Sequence, residues 1–362
     1  HYPQDSMVRR MKGPAGTKVK VTVKRDGEVI PFEITRGKIP MHSVDAAFMT
    51  SATDGYVRVS KFSRSTYEEF VKAIAGLRAQ GMEHLVVDLR DNSGGYFDQA
   101  LMMSNLFLPK DSLIVFLEGR KRAREDYRAD GRGPYQDLPV SLLINEGSAS
   151  SSEIFAGALQ DNHRATIVGR RSFGKGLVQE PINFTDGSGI RLTVARFHTP
   201  SGRCIQKPYT EDYAYEVYKR YAGSEMVQKD SMKIENGGIL PDVFVPLDTT
   251  RASDFYIKCN KKASALRFAS HYFDKHHAEL SAIDDYAQLL DYLDRAELDK
   301  QFLQFVKKTD GLVPKKGEWE DSKDYMMTQI RALVGRYSAL SDNAFYHIYI
   351  SIDETFAAAV KQ

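Results

Sequence analysis

The chain has 362 residues, 42% hydrophobic and 27% charged, and its 50 basic and 48 acidic residues leave a net charge of +2. This is the composition of a globular chain of two or three domains rather than a disordered one, and the balance gives no general reason to expect nucleic acid as a partner. Apolar runs such as Leu113 to Leu117 fall far short of the roughly 20 residues that span a bilayer. Two cysteines, Cys204 and Cys259, exclude a disulfide scaffold and a multi-cysteine zinc site, and leave one bridge or two free thiols open. The opening residues, HYPQDSMVRRMKG, carry no signal peptide and no initiator Met, so residue 1 is expected to lie inside a longer translated chain.

In chain order, TKVKVTV (Thr17 to Val23) alternates apolar and polar residues, Asp26-Gly27 follows, and Val29 to Ile34 alternates again, which predicts a hairpin. Residues 1–38 are too few to hold a core alone and are read as part of a domain. GYVRVSKF from Gly55 reads as a strand, and Thr66 with Glu69 three residues on reads as the capped start of a helix running to Leu77. HLVVDLR (His84 to Arg90) reads as a short buried strand and is followed by the turn DNSGG. Gln99 to Phe107 reads as a helix, LIVFLEG and VSLLIN as buried strands, Ala165 to Gly169 as another, and Val178 to His198 as hairpin-like. Strands alternating with helices imply an α/β layer architecture. Residues 251–362 hold the long polar helical stretches, such as Ala282 to Phe305 and Asp321 to Ser338, separated by Val313 to Gly317.

The chemistry concentrates in NEGSASSSEIFAGALQDNHRATIVGRRSFGKGLVQ, Asn145 to Gln179. A strand ends at Asn145 and a helix opens near Ser150 to Ser152, where backbone N–H groups favour a developing negative charge. Ser150 with Glu153 also fits an ordinary capping box, and serines at 148, 150, 151 and 152 blur which one matters. Lys175 stands between glycines in FGKG. Such a lysine is commonly solvated, but a buried one loses its proton readily and can act as general base toward a serine hydroxyl. Gln179, four residues on, falls on the same face as Lys175 in a helix or a strand, and its amide oxygen could orient the amine. The adjacent glycines of Ser93-Gly94-Gly95 could present backbone N–H groups to a substrate oxygen, or form a plain tight turn.

LVVDLRDNSGG, the Asn145 to Gln179 stretch and GGILPDVFVP together resemble the carboxyl-terminal processing peptidases, or tail-specific proteases, which are serine proteases with a Ser/Lys dyad. The resemblance runs from about residue 12 to about 250, and the helical tail resembles that of Bacteroidetes-like members. It implies a mixed-sheet, layered peptidase core of crotonase-like fold, with residues 1–38 as the second half of a PDZ domain, 39–250 as the core and 251–362 as a helical domain. It implies Ser150 as nucleophile, Lys175 as general base and Gln179 as its orienting residue. The oxyanion hole it implies combines the backbone N–H of Ser151 with that of Gly94 or Gly95. Where the family often has alanine after the nucleophile, this chain has Ser151. No metal or organic cofactor is implied. The implied partner is a protein or peptide with an apolar carboxyl terminus, in a bacterial cell envelope or periplasm, with no nucleic acid and no transmembrane segment in this chain. A catalytically silent or conformationally inactive scaffold on the same fold is the alternative.

A Ser/His/Asp triad is the rival within enzymes, but there is no G-x-S-x-G elbow, and His163 falls at the far end of the helix that Ser150 opens. His198 lies near the core motifs, and His276-His277 read as solvated. Tyr286, Leu289, Leu290 and Leu293 share one helix face, which, with Trp319, Tyr325, Tyr337, Tyr346 and Tyr349, suits either core packing or a homo-oligomer interface. The net charge is uneven. Residues 1–38 carry 9 basic and 4 acidic residues, 39–250 carry 25 and 27, and 251–362 carry 16 and 17. The basic excess therefore sits on the hairpin piece.

Overall fold

The computed structural model describes residues 3–25, 27–39, 42–207, 237–248 and 252–362, which fall into two compact units, 1–42 and 43–362. In the first unit, helix α1 (Gln4–Met11) precedes an antiparallel hairpin of β1 (Lys18–Arg25) and β2 (Glu28–Thr35). Arg25 pairs with Glu28, so the strands reverse over two residues, and Gly27 takes the positive φ of 90° that such a turn requires. Asp26, the other half of the expected turn, lies outside the described residues. Arg36 joins helix to hairpin by donating to the carbonyls of Arg10 and Met11 and to Thr17 Oγ1. Val29, Phe32 and Ile34 of the hairpin are exposed, as expected of so small a piece.

The second unit runs β3 (Val44–Met49), β4 (Asp54–Val59), α2 (Thr66–Ala79), β5 (His84–Asp88), α3 (Phe97–Asn105), β6 (Leu113–Glu118), β7 (Glu125–Arg128) and β8 (Val140–Ile144). It continues with α4 (Ser151–Asp161), β9 (Thr166–Gly169), β10 (Leu177–Asn183), β11 (Gly189–His198) and β12 (Val243–Phe244). Six strands form a mixed sheet in the order β12-β9-β8-β5-β4-β3, parallel except for β3 against β4. A second, antiparallel sheet has the order β10-β11-β6-β7. The expected mixed-sheet α/β architecture is what forms.

The central strands read as continuous apolar runs because both faces of the six-stranded sheet are covered. On one face α2, α3 and α4 bury Phe70, Phe107 and Phe155, whose rings meet edge-on or tilted 6.2 to 6.4 Å apart. The other face is closed by the end of the chain, α10 (Asp342–Tyr349) and α11 (Glu354–Ala359), around Tyr56, Val86, Leu143 and Val168. The preceding helices are α5 (Asp254–Lys261), α6 (Ser264–Ala282), α7 (Tyr286–Arg295), α8 (Leu298–Asp310) and α9 (Glu318–Gly335). They enclose a core of their own around Phe255, Phe268, Phe302 and Ile330.

Two local expectations shift. Ser65, not Thr66, holds the N-cap position of α2, and Glu69 accepts from Ser65 Oγ and from the N–H groups of Ser43 and Val44 at 2.6, 2.6 and 3.0 Å. Ala282 to Phe305 is not one helix. Asp285 caps α7 by accepting from Gln288 N–H at 2.9 Å, and Glu297, at φ 44°, separates α7 from α8. The aromatic residues for which the sequence leaves core packing and an interface both open have partners within the chain. Tyr286 stacks on His347 at 3.7 Å, Trp319 packs against Phe255 and Phe302, Tyr337 stacks on Phe273, and Tyr325 shares a hydrogen bond with Tyr349.

Candidate active site

Three loops at the carboxyl ends of neighbouring sheet strands converge. The first follows β5. Asp88 is fully buried and accepts from Tyr56 OH at 2.7 Å and from Arg90, while Arg58 lies 3.0 Å away. Burial alone would raise the Asp88 carboxyl, but the Arg90 and Arg58 guanidiniums outweigh it and hold the group well below the usual carboxylate range. Arg90 also bridges to Asp353 at 2.6 Å, the residue that caps α11. The chain then turns through Asp91 at φ 61°. Asn92 is buried and donates to the Val59 carbonyl, while its side-chain oxygen accepts from Gly94 N–H at 2.9 Å.

The second loop follows β8 and enters α4 at Ser150. Three of its serines are tied to the first loop. Ser148 Oγ donates to the Leu89 carbonyl, Ser151 Oγ to that of Gly95 and Ser152 Oγ to that of Asn92, at 2.8 to 3.0 Å. Ser150 alone of the four gives its hydroxyl to none of these carbonyls. Its backbone stands at φ 57° and ψ −113°, a strained conformation for a residue with a Cβ, costing about 1–3 kcal/mol. The close approach also explains Gly94. A Cβ there would come within 2.8 Å of Ser150 Cβ and 2.9 Å of Ser151 N.

The third loop, Ser172 to Gly176, carries Lys175 and is joined to the second through one carboxylate. Glu153 is fully buried on the first turn of α4. Its Oε1 accepts from Ser172 Oγ at 2.5 Å and Gly174 N–H at 2.6 Å. Its Oε2 accepts from Ser150 N–H at 2.8 Å and Lys175 N–H at 2.9 Å. Desolvation is the largest influence on this group and pushes its pKa up. Its hydrogen bonds, from Ser172 and then from the loop N–H groups, offset part of that. The S-x-x-E spacing signals a cap, and the cap is there. What the sequence reading missed is that the same carboxylate also receives the lysine loop.

The structure brings some of the expected residues together and not others. Ser150, Ser151, Gly94 and Gly95 adjoin. Gly94 N–H is already donated to Asn92, whereas the N–H groups of Gly95 and Ser151 have no partner among the described residues. Lys175 shares Glu153 with Ser150 through its backbone, but its side chain is exposed and makes no hydrogen bond to Ser150 among the described residues. The burial that the sequence reading asked of this lysine is therefore absent in this arrangement. Gln179 makes no hydrogen bond to Lys175 among the described residues. The register of β10 against β11 shifts between Val178 and Gln179, leaving Val194 of β11 out of the pairing, and Gln179 Nε2 reaches Thr193 Oγ1 at 3.4 Å. His163 sits exposed just past the carboxyl end of α4, and His198 stacks on Phe116 at 4.8 Å. Neither cysteine is in a disulfide, and burial pushes the Cys259 thiol up to about 11.

A strained serine at a helix start, flanked by N–H donors without a partner among the described residues, is thus joined through Glu153 to a lysine-bearing loop. Residues 54–215 match peptidase family S41, and residues 255–338 match a family of unknown function, DUF8443. A carboxyl-terminal-processing protease of Synechocystis sp. is 40% identical over 208 residues, 56% of this chain and 48% of that protein. A probable CtpA-like serine protease of Staphylococcus epidermidis is 38% identical over 205 residues, 56% of this chain and 41% of that protein. The chain thus spans under half the length of these curated relatives. A photosystem II D1 C-terminal processing protease superposes at a TM-score of 0.46 and 30% identity, over 65% of this chain and 57% of that one. The resemblance read from the motifs is borne out by these matches over residues 54–215.

Proposed function

We propose that this chain is a serine endopeptidase that cleaves polypeptides near their carboxyl termini, with Ser150 as nucleophile and Lys175 as general base. The observation that carries this reading is Glu153 Oε2, which accepts from the backbone N–H of both residues. Because one oxygen holds both, rotation of the Lys175 side chain alone could bring its amine toward Ser150. Enclosure by bound substrate would then strip water from the amine and favour its neutral form. Neutral Lys175 takes the Ser150 proton, Ser150 attacks the peptide carbonyl, and the oxyanion rests on the N–H groups of Ser151 and Gly95. Gly94 supports that hole by its lack of a Cβ rather than as a donor. The amine leaving group departs with a proton from Lys175, and water hydrolyses the acyl-enzyme. Gln179 orients Lys175 in the closed arrangement, which requires it to leave Thr193. Glu153 positions both loops without touching substrate.

By the same resemblance, residues 1–38 serve as part of a PDZ-like unit that takes up an apolar carboxyl terminus, residues 39–250 as the peptidase core, and the protein as one of a bacterial cell envelope or periplasm. Among the described residues no helix is long and apolar enough to cross a membrane. The test is cleavage of an unfolded polypeptide with an apolar tail, followed by mass spectrometry. The purified chain is expected to cut it, and Ser150→Ala and Lys175→Ala are each expected to leave it intact. Full activity in either folded variant would overturn the assignment.

A further inference from the structure

The turn between β6 and β7 reads GRKRAR, Gly119 to Arg124, a run of cations that the peptidase mechanism does not use. It borders an open groove of about 990 Å³ along β11. Two of its cations are committed. Arg122 pairs with Glu125 and Glu180, and Arg124 pairs with Asp126 while lying over the Phe116 ring at 3.8 Å. Arg120 and Lys121 are exposed and make no ion pair or hydrogen bond among the described residues, and the same holds for the Arg196 side chain. The acids lining the groove are Glu180, already held by Arg122, and Glu118. Leu192, half exposed, adds an apolar patch to the same wall.

The groove leads to the candidate site. Arg196 stands in register with Glu118 on one side and with Leu177 on the other, and Leu177 is two residues beyond Lys175. Phe197 N–H donates to the Gly176 carbonyl at 2.8 Å, which fixes the inner end of the groove against the lysine loop. A concave wall of unpaired cations beside an apolar side chain suits an extended chain that carries carboxylates, more than the flat surface of a bilayer.

We propose that this groove is a substrate subsite that takes an acidic segment of the polypeptide being processed, through Arg120, Lys121 and Arg196. The proposal rests on the peptidase reading, so its test is a binding measurement that needs no catalysis. Two fluorescent peptides of equal length and identical apolar tail, one with a run of glutamates and the other with glutamines in their place, are titrated into Ser150→Ala protein at low salt. The glutamate peptide is expected to bind about tenfold more tightly, and 0.5 M salt is expected to erase the difference, because exposed ion pairs are screened. In the background of Ser150→Ala, the paired reversal Arg120→Glu with Lys121→Glu is expected to remove most of the preference, with the glutamine peptide and thermal melting unchanged. Equal binding of the two peptides would overturn the proposal, as would a reversal that weakens both alike. So would anionic phosphatidylglycerol vesicles that bind the protein through these residues while the peptide preference is unaffected. A serine that proved not to be the nucleophile would leave this binding result intact, so the two readings fail separately.

Discussion

The two loops that share Glu153 are built to different standards. The serine loop is over-determined. Hydroxyls of Ser148, Ser151 and Ser152 are fastened to the carbonyls of Leu89, Gly95 and Asn92 after β5, and this holds Ser150 in its strained backbone conformation. The lysine loop is anchored by Ser172 Oγ, which donates to Glu153, and beyond it by backbone N–H groups. Its N–H groups are held by Glu153 and Gln206, while the Lys175 side chain and, on the edge strand that follows, Gln179 lie exposed. On the proposed mechanism, the nucleophile is placed before substrate arrives and the base completes the site by a side-chain movement. Such a division lets a peptidase stay silent until a chain enters.

The sharpest way to break this contrast is Glu153→Ala. It leaves four donors from both loops without an acceptor in a buried place, at a cost of about 3–5 kcal/mol. Melting is expected to fall by about 10 °C, and cleavage by at least about 100-fold, the order expected when reacting groups are misplaced. Glu153→Gln, which keeps one acceptor oxygen, is expected to recover part of both. Unchanged activity in Glu153→Ala would mean the loops do not depend on their shared carboxylate.

A smaller effect should come from the far side of the sheet. Asp353→Ala removes the bridge from α11 to Arg90 and is expected to cost about 2 kcal/mol. It should lower kcat more than it raises KM, because Arg90 begins the loop that carries Gly95. A loss of stability with kcat untouched would show that the helical region closes the sheet without tuning the site.

The same region supplies a pH signature. His347 is stacked between Phe48 at 4.5 Å and Tyr286 at 3.7 Å, and burial lowers its pKa to about 4 from the ordinary 6.5. The unfolded chain therefore takes up its proton first. Stability is expected to be lost as pH falls from about 6.5 toward 4. Melting of wild type at pH 7 and pH 5 should show that loss, and His347→Phe should flatten it. The smallest effect belongs to Gln179→Ala, whose side chain makes one long hydrogen bond to Thr193. A several-fold drop in kcat with no change in melting would place it in the closed arrangement, and no change at all would leave it outside the site.

Much of this was legible in the sequence because local patterning agreed with the final environment. Alternation around Asp26-Gly27 gave the hairpin, and the apolar runs HLVVD and VSLLI announced strands covered on both faces. Ser150 and Lys175 could be singled out from their motifs. What stayed hidden depends on contacts between residues far apart in the chain. Nothing near Gly94 says that Asn92 takes its N–H, since DNSGG would also suit a plain turn. The register shift at Val178/Gln179 leaves no mark that periodicity can detect. Asn343, Asp353 and Ala359 bond to Ala47, Arg90 and Ser141, and only the folded sheet shows that the end of the chain covers its second face.

The proposed mechanism makes Ser150 the nucleophile and Lys175 the group that activates it. The most direct measurement is covalent labelling with a fluorophosphonate probe, with the modified residue mapped by peptide mass spectrometry. The account predicts a single adduct on Ser150, none in Ser150→Ala, and labelling at least about 100-fold slower in Lys175→Ala. Labelling of Ser148, Ser151 or Ser152 instead, or a rate indifferent to Lys175, would contradict it.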